Sequence, residues 1–290
     1  MSSTFLSVII PTKNRTKDLV LTLRSVFAQT RQPDEIVIVD QSHSNDTQCT
    51  VNDLIDELQI QTNIIYILDS RIGGLSQAKN KGFEHCQGSY ILILDDDLTM
   101  PPNYIETCLS KIQNTTWLDG IAGYRVVPGE RGVNFKLIVL ALFYLGPFRY
   151  YFQTMRIMLK PPKSKTNNPL HKLNVIGGGW YLIKREVLED FKFDENLTGP
   201  SIGEDQDFFI RASSKFNFAL TTDTHVIHRK TQANSYYVNR IKNENHHECK
   251  VIAMGYLFKK NLQRSFIDNF CYAWLCIGLI LDAVLSSVNS

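Results

Sequence analysis

The sequence predicts an α/β fold, a mainly parallel, twisted sheet flanked by helices. Three observations carry this. Short, nearly continuous apolar runs recur along the N-terminal part of the chain. Each is followed by a segment with apolar residues at helical spacing. The runs end in polar residues that would gather along one sheet edge. Strands buried on both faces read as unbroken apolar runs, and their alternation with helices is the pattern of parallel crossover units.

The elements follow in order. FLSVIIP (5–11) is apolar and β-branched, and Pro11 is expected to stop it. TKDLVLTLRSVFAQ (16–29) places Leu19, Leu23, Val26 and Phe27 on one helical stripe. DEIVIVDQS (34–42) is a second strand, ending in Asp40. Residues 47–60 form a helix with Val51, Leu54, Ile55 and Leu58 aligned. NIIYILDS (63–70) is a strand and GLSQAKNKGFEHC (74–86) a helix. SYILILDDD (89–97) is the fourth strand, and PNYIETCLSKI (102–112) is a helix with Pro102 at or near its first turn.

The second half is less regular. LDGIAGYRV (118–126) is read as continuing the sheet, and 129–174 as a mixed insertion. NVIGGGWYLIKREVLEDF (174–191) reads as a glycine-rich turn, a strand and a helix. IGEDQDFFIRAS (202–213) is a helix headed by acids, and NFALTTDTHVIHR (217–229) a strand leading into a His-containing loop. Neither a separating linker nor an internal repeat is visible.

Composition bounds the function. A chain of 290 residues that is 43% hydrophobic supports a sizeable core, as one large domain or two fused ones. A net charge of +2, with no long basic tract, gives no electrostatic case for nucleic acid. Six scattered cysteines without a CxxC pair fit free thiols in a reducing compartment. The N-terminal MSSTFLSVIIPTKNR lacks the basic lead and long apolar core of a signal peptide, so a cytoplasmic protein is expected.

Ligands of such sheets bind beyond the carboxyl ends of the strands. Those ends carry Thr12–Lys13–Asn14–Arg15, Asp40, Asp69 and Asp95–Asp96–Asp97. Ordinary loop solvation explains single aspartates well and a triple aspartate poorly. Adjacent carboxylates raise one another's pKa unless a cation sits with them. Mg²⁺ and Mn²⁺ favour carboxylate and phosphate oxygens, which suits a diphosphate leaving group. No Cys/His set surrounds the triplet, which disfavours zinc.

A second acidic cluster, Glu204–Asp205–Gln206–Asp207, opens a helix. Capping explains acids there, and a general base for an acceptor hydroxyl is the alternative. His225 or His228 could supply one imidazole to the metal or the pyrophosphate. GxGxxG is absent after the first strand, which reads PTKNRT instead, and GxxxxGK[ST] is absent throughout, against a Rossmann dehydrogenase and a P-loop NTPase.

Together, SVIIPTKNR (7–15), EIVIVDQS (35–42), GGLSQAKNKG (73–82), ILILDDD (91–97), IGGGWYLIKREVLEDF (176–191) and GEDQDFFIR (203–211) resemble the family 2 glycosyltransferases of GT-A fold. The resemblance spans roughly residues 5–230. It implies inverting sugar transfer from a nucleotide-diphosphate donor, with UDP the common case, assisted by Mn²⁺ or Mg²⁺. By position it assigns Pro11, Thr12, Arg15, Asp40, Asp69, Gly73, Lys79, Asp95 and Asp96 to the donor. Asp97 is implied as the direct metal ligand, with Asp95 beside it and His228, or His225, as a late metal or diphosphate contact. Asp205 is implied as the base. Glu204 and the stretch Gly178, Gly179 and Trp180 are implied at the acceptor. Two departures stand out: the second strand ends in Asp40–Gln41 rather than two acids, and Lys79 replaces the usual arginine, losing its bidentate fork.

The resemblance divides the chain into a nucleotide half (1–117), an acceptor half (118–230) and a C-terminal helical extension (231–290). NFCYAWLCIGLIL (269–281) is uncharged but shorter than the ~20 apolar residues of a span. LIVLALFYLGPF (137–148), flanked by aromatic and basic residues, suits an interfacial helix on anionic lipid. Core burial and a homo-oligomer interface are the alternatives. Peripheral attachment to a membrane's cytoplasmic face would suit a saccharide or lipid-linked acceptor in polysaccharide, glycolipid or cell-envelope synthesis. The rival functions are a nucleotidyltransferase and a non-catalytic nucleotide-sugar-binding scaffold.

Overall fold

A computed structural model describes residues 4–126, 128, 169–176, 178–197, 202–229 and 246–261, with scattered helical positions between 266 and 281. The apolar segment 136–160 lies outside the described residues. In chain order the elements are β1 (Leu6–Thr12), α1 (Thr16–Phe27), β2 (Glu35–Asp40), α2 (Asp46–Leu58), β3 (Asn63–Leu68), α3 (Leu75–His85), β4 (Tyr90–Leu94) and β5 (Leu98–Thr99). There follow α4 (Tyr104–Asn114), β6 (Gly120–Val126), β7 (Leu170–Leu173), β8 (Trp180–Lys184), α5 (Arg185–Asp190), α6 (Glu204–Ala212), β9 (Phe218–His228) and α7 (His246–Asn261).

All described strands join one sheet in the order β3-β2-β1-β4-β8-β6-β9-β5, with β7 also on β9. The first four are parallel, as expected from their unbroken apolar runs. Beyond β4 the sheet is mixed: β8 runs antiparallel to β4 and β6, whereas β6 and β9 are parallel. The core lies along β1, β2 and β4, where Val8, Ile9, Ile10, Ile36, Val37, Ile38 and Ile91 are wholly buried. Each such side chain contributes about 1.5–3 kcal/mol by leaving water.

Three expectations need correction. Pro11 does not stop β1; the strand runs through it to Thr12, paired with β2. Pairing with β4 ends at Ile9, so proline's missing N–H falls beyond that ladder. His225 and His228 lie in β9 rather than in a loop after it. A register shift at Gly123/Tyr124 lets β6 keep pairing with β9, and Leu98 of β5 pairs with His228. The fourth strand ends at Leu94, so the aspartates form a turn between β4 and β5.

Candidate active site

The site is built where β1 and β4 end and where β8 and α6 begin. Thr12 and Arg15 close over the aspartate turn from the end of β1. Asp96 is buried; Thr12 Oγ1 donates to its Oδ2 at 2.7 Å, and Arg15 Nη1 lies 2.8 Å from its Oδ1. Arg15 Nη2 reaches Asp97 Oδ2 at 2.9 Å. The guanidinium therefore bridges two acids that would otherwise repel. Burial pushes the Asp96 carboxyl up to about 7 against the pull of Arg15. Burial also pushes Asp97 up, but His228 and Arg15 outweigh it and hold Asp97 below the ordinary carboxylate range. Pro11 is buried within β1 behind this loop.

Sequence reasoning missed the brace under this turn. The Arg229 guanidinium donates to the carbonyls of Asp18 and Asp96, at 2.8 and 3.3 Å, and the Arg229 N–H to Asp97 O at 3.0 Å. Thr22 Oγ1 donates within the same turn, to Asp96 O at 2.7 Å. Arginine directly after a buried strand was the available signal.

Asp95 faces the other way. Its N–H donates to Gly179 O at 2.7 Å, and a Cβ on Gly179 would stand 2.1 Å from its carboxyl carbon. Gly179 has φ +71° and Gly178 φ +109°, conformations that glycine adopts without strain. The Gly178 N–H donates to Asp205 Oδ2 at 2.9 Å. The two glycines thus join the aspartate turn directly to the head of α6. Residues 95 and 205, far apart in sequence, lie on either side of one dipeptide.

Asp205 is held by further donors. Lys79 Nζ lies 2.8 Å from Oδ1, and the Tyr181 hydroxyl donates to the same oxygen at 2.7 Å. A carboxylate offers about four lone-pair sites. Oδ2, with Gly178 alone among the described donors, keeps one for an incoming hydroxyl. Tyr181 was not anticipated; a tyrosine inside a buried strand needs a hydrogen-bond partner, and that was the legible clue.

Lys79 was expected at the donor. Its ammonium is instead wholly buried between Asp205 and Glu204, the latter at 3.1 Å, with the Phe193 ring 5.0 Å below. The physical reason is charge: α6 brings two acids to the buried end of the Lys79 side chain. Burial raises the Glu204 carboxyl to about 7, Lys79 opposing and Asp205 adding to the rise. Burial likewise raises Asp95 well above the usual range. Asp207 is wholly buried and faces away, paired with Arg211 and Lys260.

The remaining candidates divide. Asp40 is wholly buried, accepting from Ser42 N at 2.9 Å and from the Tyr66 hydroxyl at 2.6 Å. It shapes the Gln41–Ser42 loop rather than offering a free carboxylate. Asp69 stands just past β3 in a fork with Arg71, and those hydrogen bonds lower it to about 2. The Gly73 N–H donates to Gln77 Oε1 at 2.6 Å. Trp180 is buried in β8, its indole N–H spent on Gly123 O at 2.9 Å, so it backs the floor rather than facing it.

His228 Nε2 lies 3.2 Å from Asp97 Oδ2, whereas His225 packs its ring on Tyr124 at 5.3 Å. Among the described residues no group of three His, Cys, Asp or Glu gathers to hold a metal. Asp97 and His228 form a carboxylate–imidazole pair that fits Mn²⁺ as a third of an octahedral shell. The His228 Nδ1 is buried without a hydrogen-bond partner, so nothing described fixes a ligating tautomer.

Known proteins share this fold. Staphylococcus aureus TarS residues 1–349 superimposes with a TM-score of 0.57 at 16% identity, covering 93% of this chain and 70% of that one. Its UDP-GlcNAc complex matches with the same TM-score of 0.57 at 16% identity, covering 93% of this chain and 71% of that one. The shared fold is the GT-A type. GlyG of Streptococcus pneumoniae serotype 4 is 33% identical over 112 residues, 38% of this chain and 36% of GlyG. A GalNAc(5)-diNAcBac-PP-undecaprenol β-1,3-glucosyltransferase of Campylobacter jejuni is 31% identical over 107 residues, 37% of this chain and 34% of that protein. The chain thus aligns with about a third of the length of these two curated relatives. An uncharacterized glycosyltransferase of Methanocaldococcus jannaschii is 23% identical over 247 residues, 84% of this chain and 77% of that one. The model of glycosyl transferase family 2 matches residues 7–191, more than half the sequence, and the chain belongs to that family.

Proposed function

We propose that the chain transfers a sugar from a UDP-sugar to an acceptor hydroxyl with inversion. The observation that carries this reading is the Gly178–Gly179 bridge, which sets Asp205 beside the aspartate turn. A base and a diphosphate site must be neighbours for one anomeric carbon to meet both.

In this mechanism Asp205 Oδ2 accepts the acceptor's proton. The freed oxygen attacks the anomeric carbon from the face opposite the nucleotide. Lys79 and Tyr181 keep the carboxylate oriented, and the Gly178 N–H fixes its plane. Arg15 supplies positive charge at the diphosphate side. Asp97 and His228 would hold Mn²⁺ or Mg²⁺, which supplies charge to the departing diphosphate when bound. Asp95 lies beside the donor. Glu204 borders the acceptor.

UDP as carrier is supported by the UDP and UDP-GlcNAc complexes of TarS. A lipid-linked acceptor is supported by the names of the undecaprenol-linked relative and of a Haloferax volcanii glucosyl-dolichyl phosphate glucuronosyltransferase. Among the described residues no helix is long and apolar enough to cross a membrane. Phe266, Phe270 and Ile277 are exposed on the C-terminal helical segment, a surface suited to a bilayer face or to a second copy of the chain. Sedimentation with anionic liposomes separates the two.

The test is a thermal-shift screen of nucleotide sugars with and without Mn²⁺. A ligand bound only by the native state raises apparent stability. Metal-dependent stabilisation by a UDP-sugar is expected. Asp205→Ala is expected to keep that stabilisation and lose transfer. Pyrophosphate as product would move the reading to a nucleotidyltransferase; tight donor binding without hydrolysis or transfer would leave a scaffold.

A further inference from the structure

We infer that α7 positions the base: Lys260, Asn261 and Leu257 are positioning residues that hold α6, and through it Asp205, at the site. This rests on the reading of Asp205 as base. The family match ends at residue 191, so α6 and α7 both lie beyond it.

The geometry runs through Asp207. An α-helix turns about 100° per residue, so residues 205 and 207 face nearly opposite directions. Asp205 faces Lys79, Tyr181 and Gly178. Asp207, wholly buried, faces α7: Lys260 Nζ lies 3.0 Å from it and Asn261 Nδ2 donates to it at 2.8 Å. Arg211 of its own helix completes the set at 2.7 Å. A buried carboxylate cannot leave such donors without losing charge compensation. The helix is therefore held at its back by α7 as well as at its front by the site.

Two further contacts converge. Gly203, at φ +84°, starts α6, and its O accepts the Asp207 N–H at 2.9 Å. Leu257 closes over it so tightly that a Cβ there would stand 2.6 Å from Leu257 Cδ1. Lys260 also pairs with Asp194, to which the Tyr256 hydroxyl donates at 2.6 Å. Asp194 lies between Phe193 and Glu195, both bonded by the Asn80 side chain at 2.9 and 2.8 Å. Asn80 is the neighbour of Lys79. The helix thus reaches both members of the Lys79–Asp205 pair, one through Asp207 and the other through the 193–195 loop. Met254, Leu257 and Phe258 bury its apolar face and anchor it there.

The experiment compares the full chain with Lys260→Met/Asn261→Leu, with Lys260→Arg, and with the milder Leu257→Ala should the double variant fold poorly. Amide hydrogen exchange over 204–212 needs no substrate and is expected to quicken by about tenfold or more, with exchange over β1 and β2 unchanged. UDP affinity should stay within about twofold, since the donor half is untouched. On whichever UDP-sugar the wild type hydrolyses fastest, kcat should fall by about tenfold to a hundredfold with KM for donor unchanged, because a displacement near 1 Å is enough for that loss. Lys260→Arg should restore most of it. Unchanged exchange in α6, or UDP affinity falling in step with kcat, would overturn the inference. Full turnover in Asp205→Asn would instead remove Asp205 as base, while the exchange result still decides whether α7 holds α6.

Discussion

Lys79→Met keeps an unbranched side chain that lacks only the terminal atom, and deletes one buried charge. In the wild type that ammonium has no exposure and sits 2.8 Å from Asp205 and 3.1 Å from Glu204. Removing one partner of a buried pair costs about 3–5 kcal/mol, because the other charge stays behind unpaired. Asp205 keeps Tyr181 and Gly178, so the loss falls mainly on Glu204. Burial already lifts Glu204 to about 7 from an ordinary 4.5, and losing Lys79, which opposes that lift, raises it further. A carboxyl whose folded pKa lies above its unfolded one destabilises the protein above the unfolded value, and increasingly so up to the folded value. The slope is about 1.36 kcal/mol per pH unit for one proton. The variant's deficit should therefore be large near about pH 8.5 and shrink towards about pH 5, where Glu204 carries a proton in both proteins. Urea midpoints of the two proteins at both pH values measure it. Equal deficits at the two pH values, or a deficit below about 1 kcal/mol near about pH 8.5, would refute the assignment of Lys79 as the counter-charge of this acid pair.

The remaining predictions concern the donor side and the frame. Asp97→Ala should abolish Mn²⁺-dependent stabilisation by UDP-sugars in thermal shift; an unchanged metal effect removes Asp97 and His228 as the metal pair. Gly179→Ala places a methyl group 2.1 Å from the Asp95 carboxyl carbon at φ +71°, so it should weaken UDP binding at least about tenfold by calorimetry. Tyr104→Phe should lower stability by about 1–3 kcal/mol in urea unfolding, because the hydroxyl accepts from Gly123 N at 3.1 Å and donates to Trp180 O at 2.6 Å, both buried.

Local pattern made much of this molecule legible. The unbroken apolar runs ending in Asp40 and the aspartate triplet identify parallel strands, since only doubly covered strands are apolar on both faces. The acids of 204–207 mark a helix head, since carboxylates favour that end of the dipole. His225 and His228 were read as loop because strand propensity alone does not extend through TDTHVIHR; pairing with β5 and β6 does. The family resemblance places Trp180 at the acceptor; its indole is spent on Gly123.

The sequence by itself determined which residue types stand at the strand ends, because side-chain period and strand termination are properties of neighbours along the chain. It could not determine which acids meet which cations. The triplet is split three ways: Asp95 to the glycine bridge, Asp96 beneath Thr12, and Asp97 to Arg15 and His228. Lys79 pairs with Asp205 and Glu204 of α6. Those pairings are set by burial and by approach through space, where a charge takes the nearest partner that can compensate it. Only the tertiary structure decides that.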